Sequence, residues 1–91
     1  MAAAVVLRHA EYDIYNAAEF ERELAVLAAG QSVVDFRNVR FIDVTCLSVL
    51  VRTYKRLRID DAASEIALTN LAAPVRRLFQ LTKLQRIFRI Q

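Results

Sequence analysis

The sequence predicts an α/β domain: a small, mainly parallel four-stranded sheet with helices packed on it. Two observations carry that prediction. Short apolar runs alternate with amphipathic stretches in the order strand, helix, strand, helix, strand, helix, strand, which gives parallel strands joined by right-handed crossovers. In the longest amphipathic stretch, Leu47, Leu50, Val51, Tyr54 and Leu57 fall at offsets 0, 3, 4, 7 and 10, one stripe of a helix with period 3.6. The 91 residues suffice for one domain, residues 1–91, with one modest core.

Val5, Val6 and Leu7 open a first strand, expected from about Ala4 to Tyr12. Asn16 then fits a helix N-cap and Glu19 its reciprocal partner in a capping box, with Tyr15 and Phe20 as the ends of a hydrophobic staple. Phe20, Leu24 and Leu27 line one face of this helix. Glu19, Glu21 and Glu23 suit its positive end, and Gly30 is expected to end it in a left-handed cap. Val33, Val34 and Phe36 form a nearly continuous apolar strand, interrupted by Asp35, of the kind covered on both faces. Val39, Phe41 and Ile42 lead to Asp43, and the long helix runs from Val44 to near Ile59, ending at Asp60-Asp61. Ile66 to Thr69 is a further strand. Asn70 to Pro74 is a turn, with Pro74 in the first turn of a helix whose apolar side carries Val75, Leu78, Phe79 and Thr82. Ile87, Phe88 and Ile90 close the chain as a last strand.

Composition narrows the function. At 56% hydrophobic the chain is too apolar for disorder, yet no apolar run approaches the roughly 18 residues of a membrane span, so no membrane insertion is expected. Met1 to Leu7 lacks a basic flank and a cleavage site, so it does not read as a signal peptide, and a cytoplasmic protein is expected. The net charge is +3, with basic residues recurring at Arg52, Lys55, Arg56, Arg58, Arg76, Arg77, Lys83, Arg86 and Arg89. They are spaced as polar helix faces without interleaved aromatic residues, which argues for a solvated face or docking rim and against nucleic acid. Cys46, the sole cysteine, excludes an internal disulfide and a Cys-x-x-Cys metal site. It reads as a small apolar filler in a first helical turn, with a reactive thiol as the alternative. His9 is the sole histidine and has no second ligand near it in its strand. A single glycine cannot make a phosphate loop. Asp13, Asp35 and Asp43 are the carboxylates that could pair or hold a metal, but no acidic–histidine cluster or nucleophile–base set accompanies them. The expectation is a protein that is not an enzyme, with no catalytic residue, no metal and no cofactor.

The stretch that carries function is the junction Asp43-Val44-Thr45-Cys46. A strand turns into a helix there, Asp43 can accept a hydrogen bond from the first-turn amides, and the helix offers free N–H groups and a positive dipole end. Corners of that kind hold negative groups or contact partners.

Five segments come in a fixed order: Glu11-Tyr12-Asp13-Ile14, Val33-Val34-Asp35-Phe36, Phe41-Ile42-Asp43, Pro74-Val75-Arg76-Arg77-Leu78-Phe79 and Leu84-Gln85-Arg86-Ile87-Phe88. Together they resemble the STAS domain, the fold of anti-sigma factor antagonists and of the cytoplasmic tail of sulfate transporters. The resemblance implies a protein partner, an anti-sigma factor that is also a kinase-like ATPase. It places the contact at Asp13, Asp43, Val44, Thr45, Cys46, Ser48 and Arg52. In such antagonists the corner usually reads Asp-Ser-Ser/Thr-Gly, and phosphorylation of the first hydroxyl breaks the complex by charge. Here Val44 stands at the acceptor position and Cys46 where glycine is frequent. A docking module without the usual switch is therefore expected, with Thr45 as the possible displaced phosphorylation site. The alternative on the same fold is a small subunit gripping the ATPase of an ABC-type lipid-transport complex. A second copy of the chain is a further possible partner, and the oligomeric state stays open.

Overall fold

The computed structural model describes residues 2–91. In chain order it contains β1 (Ala2–Val6), β2 (Glu11–Tyr12), α1 (Ala17–Leu24), β3 (Gln31–Asp35), β4 (Phe41–Ile42), α2 (Val44–Asp60), β5 (Glu65–Thr69), α3 (Ala73–Leu81), a 3₁₀ turn (Leu84–Arg86) and β6 (Arg89–Ile90). The main sheet has the order β1-β3-β5-β6, with every neighbouring pair parallel. The predicted α/β class and the four-stranded sheet hold.

The strand order steps in one direction only, and a right-handed crossover at each step puts all three helices on one side. Burial agrees. Val34, Ile66 and Leu68 point into the helices and are buried, with Val5 and Ile90 packed beside them. On the alternate positions Ala4 is exposed, Val6 is 45% exposed, Val33 and Ala67 are half-buried, and Arg89 pairs with Glu65 at 3.1 Å. The strand through Val33 is therefore covered on one face and open on the other. Its near-continuous apolar run arises because Val33 packs among outer-face neighbours, not because a second layer covers it.

Aromatic contacts tie α1 to β2 and join α2 and α3 through the chain end. Tyr12 lies 4.8 Å from Phe20, and Phe79 meets both Phe36 (6.0 Å) and Phe88 (6.1 Å) edge-on. Tyr54 packs on Phe88 at 5.6 Å, which ties α2 to the chain end. Such pairs contribute about 0.5–1.5 kcal/mol each beyond their burial.

Four local expectations differ from the structure. The first strand does not run on to Tyr12. The chain leaves the sheet after Leu7, and β2 pairs in parallel with β4, Glu11 opposite Phe41 and Tyr12 opposite Ile42, as a separate two-stranded ribbon. A hydrogen-bond knot on the Tyr12 hydroxyl makes the detour. It accepts from the amides of Arg8 and His9 and donates to Glu23 Oε1 at 2.6 Å. Secondly, Asn16 occupies the N-cap position of α1 but makes no cap hydrogen bond. Its Oδ1 accepts from the Asp13 amide and its Nδ2 donates to the Glu11 carbonyl. Glu19 does not reach back either; its Oε1 lies 3.0 Å from His9 Nε2, off the line of a good hydrogen bond. Tyr15 is 93% exposed, so no staple forms. Thirdly, α1 ends at Leu24, well before Gly30. The unwound segment lets Leu27 enter the core. Gly30, at φ 102°, instead opens β3, its amide donating to Ser64 Oγ, whose hydroxyl in turn donates to Leu57 O at the end of α2. Fourthly, Leu84–Arg86 form a 3₁₀ turn, so the last strand is only Arg89–Ile90.

Candidate functional site

The ribbon of β2 and β4 builds the corner. Each of its strands runs directly into a helix, β2 through Asp13 into α1 and β4 through Asp43 into α2. The Asp43 amide donates to the Tyr12 carbonyl at 3.0 Å, so the start of α2 is fixed to the ribbon. Asp43 is extended, and its Oδ1 accepts from the Cys46 amide at 3.1 Å. That bond satisfies one of the orphan donors of the first turn and holds Val44 as the first helical residue.

The candidate residues fall into three groups. Val44, Ser48 and Arg52, spaced by four, form one stripe on the outer surface of α2, and all three are exposed, Val44 by 65%. Ser48 Oγ donates to the Val44 carbonyl, and Arg52 reaches Glu21 of α1 at 3.6 Å. Thr45 is exposed beside this stripe on the α1 side, next to Ala17 and Ala18. Asp13 and Asp43 are half-buried beneath it. Cys46 belongs to neither surface. It is 0% exposed, and its thiol donates to the Asp13 carbonyl at 3.5 Å. The side chain of Cys46 therefore offers no accessible surface at the corner, unlike the exposed place expected of it. Burial pushes its thiol up to about 12, helped by the Asp43 carboxylate and, less, by Asp13. A thiol so held stays protonated and is a poor nucleophile, so the apolar-filler reading describes it.

The stripe is a crest between two shallow grooves. On the α1 side the groove is lined by Ala17, Ala18, Glu21, Thr45 and Val49, and on the other side by Leu47, Val51, Lys55, Thr82 and Leu84. Val44, Ser48 and Arg52 line both. Large apolar residues also surround the ribbon end: Ile14 and Tyr15 in the loop after β2, and Phe41 in β4, all exposed. Sequence reasoning missed Ile14 and Phe41 as surface residues, because an apolar residue next to a strand reads as core. Among the described residues no cluster of three or more His, Cys, Asp or Glu side chains is placed to hold a metal ion. Asp35 lies apart from Asp13 and Asp43. It accepts from the Arg37 amide and guanidinium and from Asn70 Nδ2, closing the ends of β3 and β5. No helix among the described residues is long and apolar enough to cross a membrane.

A parallel sheet with helices on one face, and a capped helix start turned outward beside it, defines a compact α/β domain. The chain belongs to the STAS domain family, whose profile matches residues 3–91. Among solved structures it is similar to an assigned anti-sigma factor antagonist from Thermotoga maritima. The identity there is 25%, with 96% of this chain and 77% of that one covered and a TM-score of 0.75. Two further likenesses bear on the fold alone. One is an anti-sigma-factor antagonist (STAS) domain protein from Planctomyces limnophilus, 17% identical, covering 100% of this chain and 90% of that one, TM-score 0.75. The other is the anti-sigma factor antagonist SpoIIAA in its unphosphorylated form, 16% identical, covering 97% and 78%, TM-score 0.64. The chain is thus a STAS domain resembling anti-sigma factor antagonists.

Proposed function

We propose that this domain is a non-enzymatic docking module of the anti-sigma-factor-antagonist kind, binding a kinase-like ATPase partner through the crest Val44–Ser48–Arg52 and working without a serine switch. The observation that carries the reading is Val44. An apolar side chain stands 65% exposed at the first position of a capped helix. Left in water it contributes nothing; covered by a partner, a valine contributes about 1.5 kcal/mol. Valine has no oxygen to accept a phosphoryl group, so the negative charge that breaks such complexes has no place to form at residue 44. Thr45, exposed beside it, is the hydroxyl that remains near the corner. Proteins named as anti-sigma factor antagonists act on anti-sigma factors, and the 25% identity to one of them supports the same class of partner here.

The test is titration calorimetry of the wild type and Val44→Asp against the anti-sigma-factor-like ATPase encoded nearest to this chain. The wild type is expected to bind, and Val44→Asp to bind at least about ten-fold more weakly, because a charge replaces an apolar contact. Equal affinity for both proteins contradicts the reading. Binding instead to the ATPase of a neighbouring ABC transporter shifts it to a lipid-transport subunit.

A further inference from the structure

The two grooves beside the crest differ in charge. The α1-side groove holds an acid and a base, Glu21 and Arg52, facing each other across a floor of alanines. The groove between α2 and the end of α3, about 390 Å³, has an apolar floor of Leu47, Val51 and Leu84 and only cations among its charged residues, Arg52 and Lys55. Lys83, exposed at φ 60°, lies in sequence between two wall residues, Thr82 and Leu84. The wider surface has the same sign. Residues 44–91 carry nine basic and three acidic side chains, against four and seven in residues 1–43.

We infer that this second groove seats an apolar segment of a protein partner flanked by Asp or Glu residues. The inference rests on the docking reading of the Val44 crest and adds which side of the crest the partner enters and what chemistry it brings. Charge complementarity selects the flanks: a uniformly cationic rim attracts carboxylates and repels a basic segment. Leu47 is only 3% exposed and Val51 and Leu84 are half-buried, so contact with this floor takes single side chains entering between α2 and the end of α3, as a protein segment supplies them. The wall of α2 from Val44 to Lys55 spans roughly 16 Å, enough for about three turns of a partner helix with apolar residues at helical spacing.

The experiment selects displayed peptides of about 12 residues, the length matched to that wall, on the immobilised full chain, then maps the enriched peptides by amide chemical shifts. Apolar residues flanked by Asp or Glu are expected to be enriched, with shifts at Val44, Leu47, Val51, Lys55 and Leu84. Lys55→Glu, a surface change that leaves the core intact, is expected to weaken those peptides about ten-fold or more. Enrichment of neutral or basic peptides overturns the inference, as does no enrichment. Vesicles containing phosphatidylglycerol are run in parallel; binding that Lys55→Glu abolishes while peptides show none reassigns the groove to a lipid surface. Peptides that shift Ala17, Ala18 and Thr45 and ignore Lys55→Glu refute the groove but keep the crest as a docking place. Loss of all binding around residue 44 refutes both.

Discussion

Two helices leave the same two-stranded ribbon, and they start differently. At α2 the capping side chain does what its sequence position implies: Asp43 closes on the Cys46 amide. At α1 the capping side chain is spent elsewhere, Asn16 joining the Asp13 amide to the Glu11 carbonyl. The first corner is held by bonds within the helix, the second by bonds within the loop before it. The difference teaches why one corner is suited to docking. A self-capped helix keeps its first turn rigid while its outer residues stay exposed, so Val44 and Thr45 are presented at the surface and Ser48 is tied only to its own helix through the Val44 carbonyl. At α1 the loop itself is tied down, and its exposed residues, Ile14 and Tyr15, are carried on irregular chain.

The comparison can be broken most strongly at Tyr12. Tyr12→Phe removes the hydroxyl that accepts two amides and donates to Glu23. The Arg8 amide keeps Glu23 Oε2, but the His9 amide and Glu23 Oε1 lose their partner; an orphaned group costs about 1–3 kcal/mol, so urea unfolding is expected to show a loss of about 2–3 kcal/mol, with the ribbon's amides losing exchange protection first. The acid limb comes next and lies outside both corners. The Arg37 guanidinium and Asn70 hold the Asp35 carboxyl down at about 2, against an ordinary 3.8. The unfolded chain takes up this proton before the folded one does. The stabilisation is therefore full above about pH 4 and lost as pH falls towards 2, a change of about 2 kcal/mol that acid titration of the unfolding midpoint should register. Asp35→Asn is expected to flatten that limb and leave both helix starts unchanged.

The third prediction separates the corners directly. Asp43→Ala loses a true cap and is expected to cost about 1–2 kcal/mol, with faster amide exchange at Cys46. Asn16→Ala is expected to cost about 1 kcal/mol and to loosen Asp13–Tyr15 while the first turn of α1 stays protected. If instead Asn16→Ala opens α1 and Asp43→Ala leaves α2 intact, the contrast is wrong. The smallest effect belongs to Val44→Ser. At an exposed helix position outside the core, the change in stability is expected to stay within about 0.5 kcal/mol.

Much of this was legible in the chain. The bounds of α2 follow from a 3.6 period with a good cap before it, and Pro74 marks the start of α3, because both signals are local. The ribbon was not legible. Glu11-Tyr12 and Phe41-Ile42 are two residues each, and what pairs them is a tertiary knot at Tyr12 and the Arg40 and Phe41 amides donating to the Ala10 carbonyl. The same holds for Asn16, whose preference for a helix start is real but whose hydrogen bonds went to a nearer loop. The open sheet face escaped because an alternating-burial strand and a fully buried one look alike when the outward residue is valine. At the site, sequence placed the corner and the exposed face of the helix. Cys46 reads there both as an apolar filler and as part of the contact, because a side chain in a first turn points inward or outward according to what lies beneath it; the thiol points inward, onto the Asp13 carbonyl.

The most direct measurement is intact-mass analysis of the wild type, Thr45→Ala and Val44→Ser after incubation with the kinase-like partner and ATP. The account predicts an unmodified wild type that remains in complex, and a phosphate appearing only on Val44→Ser. A phosphate on the wild type that Thr45→Ala abolishes, accompanied by release of the partner, would contradict it.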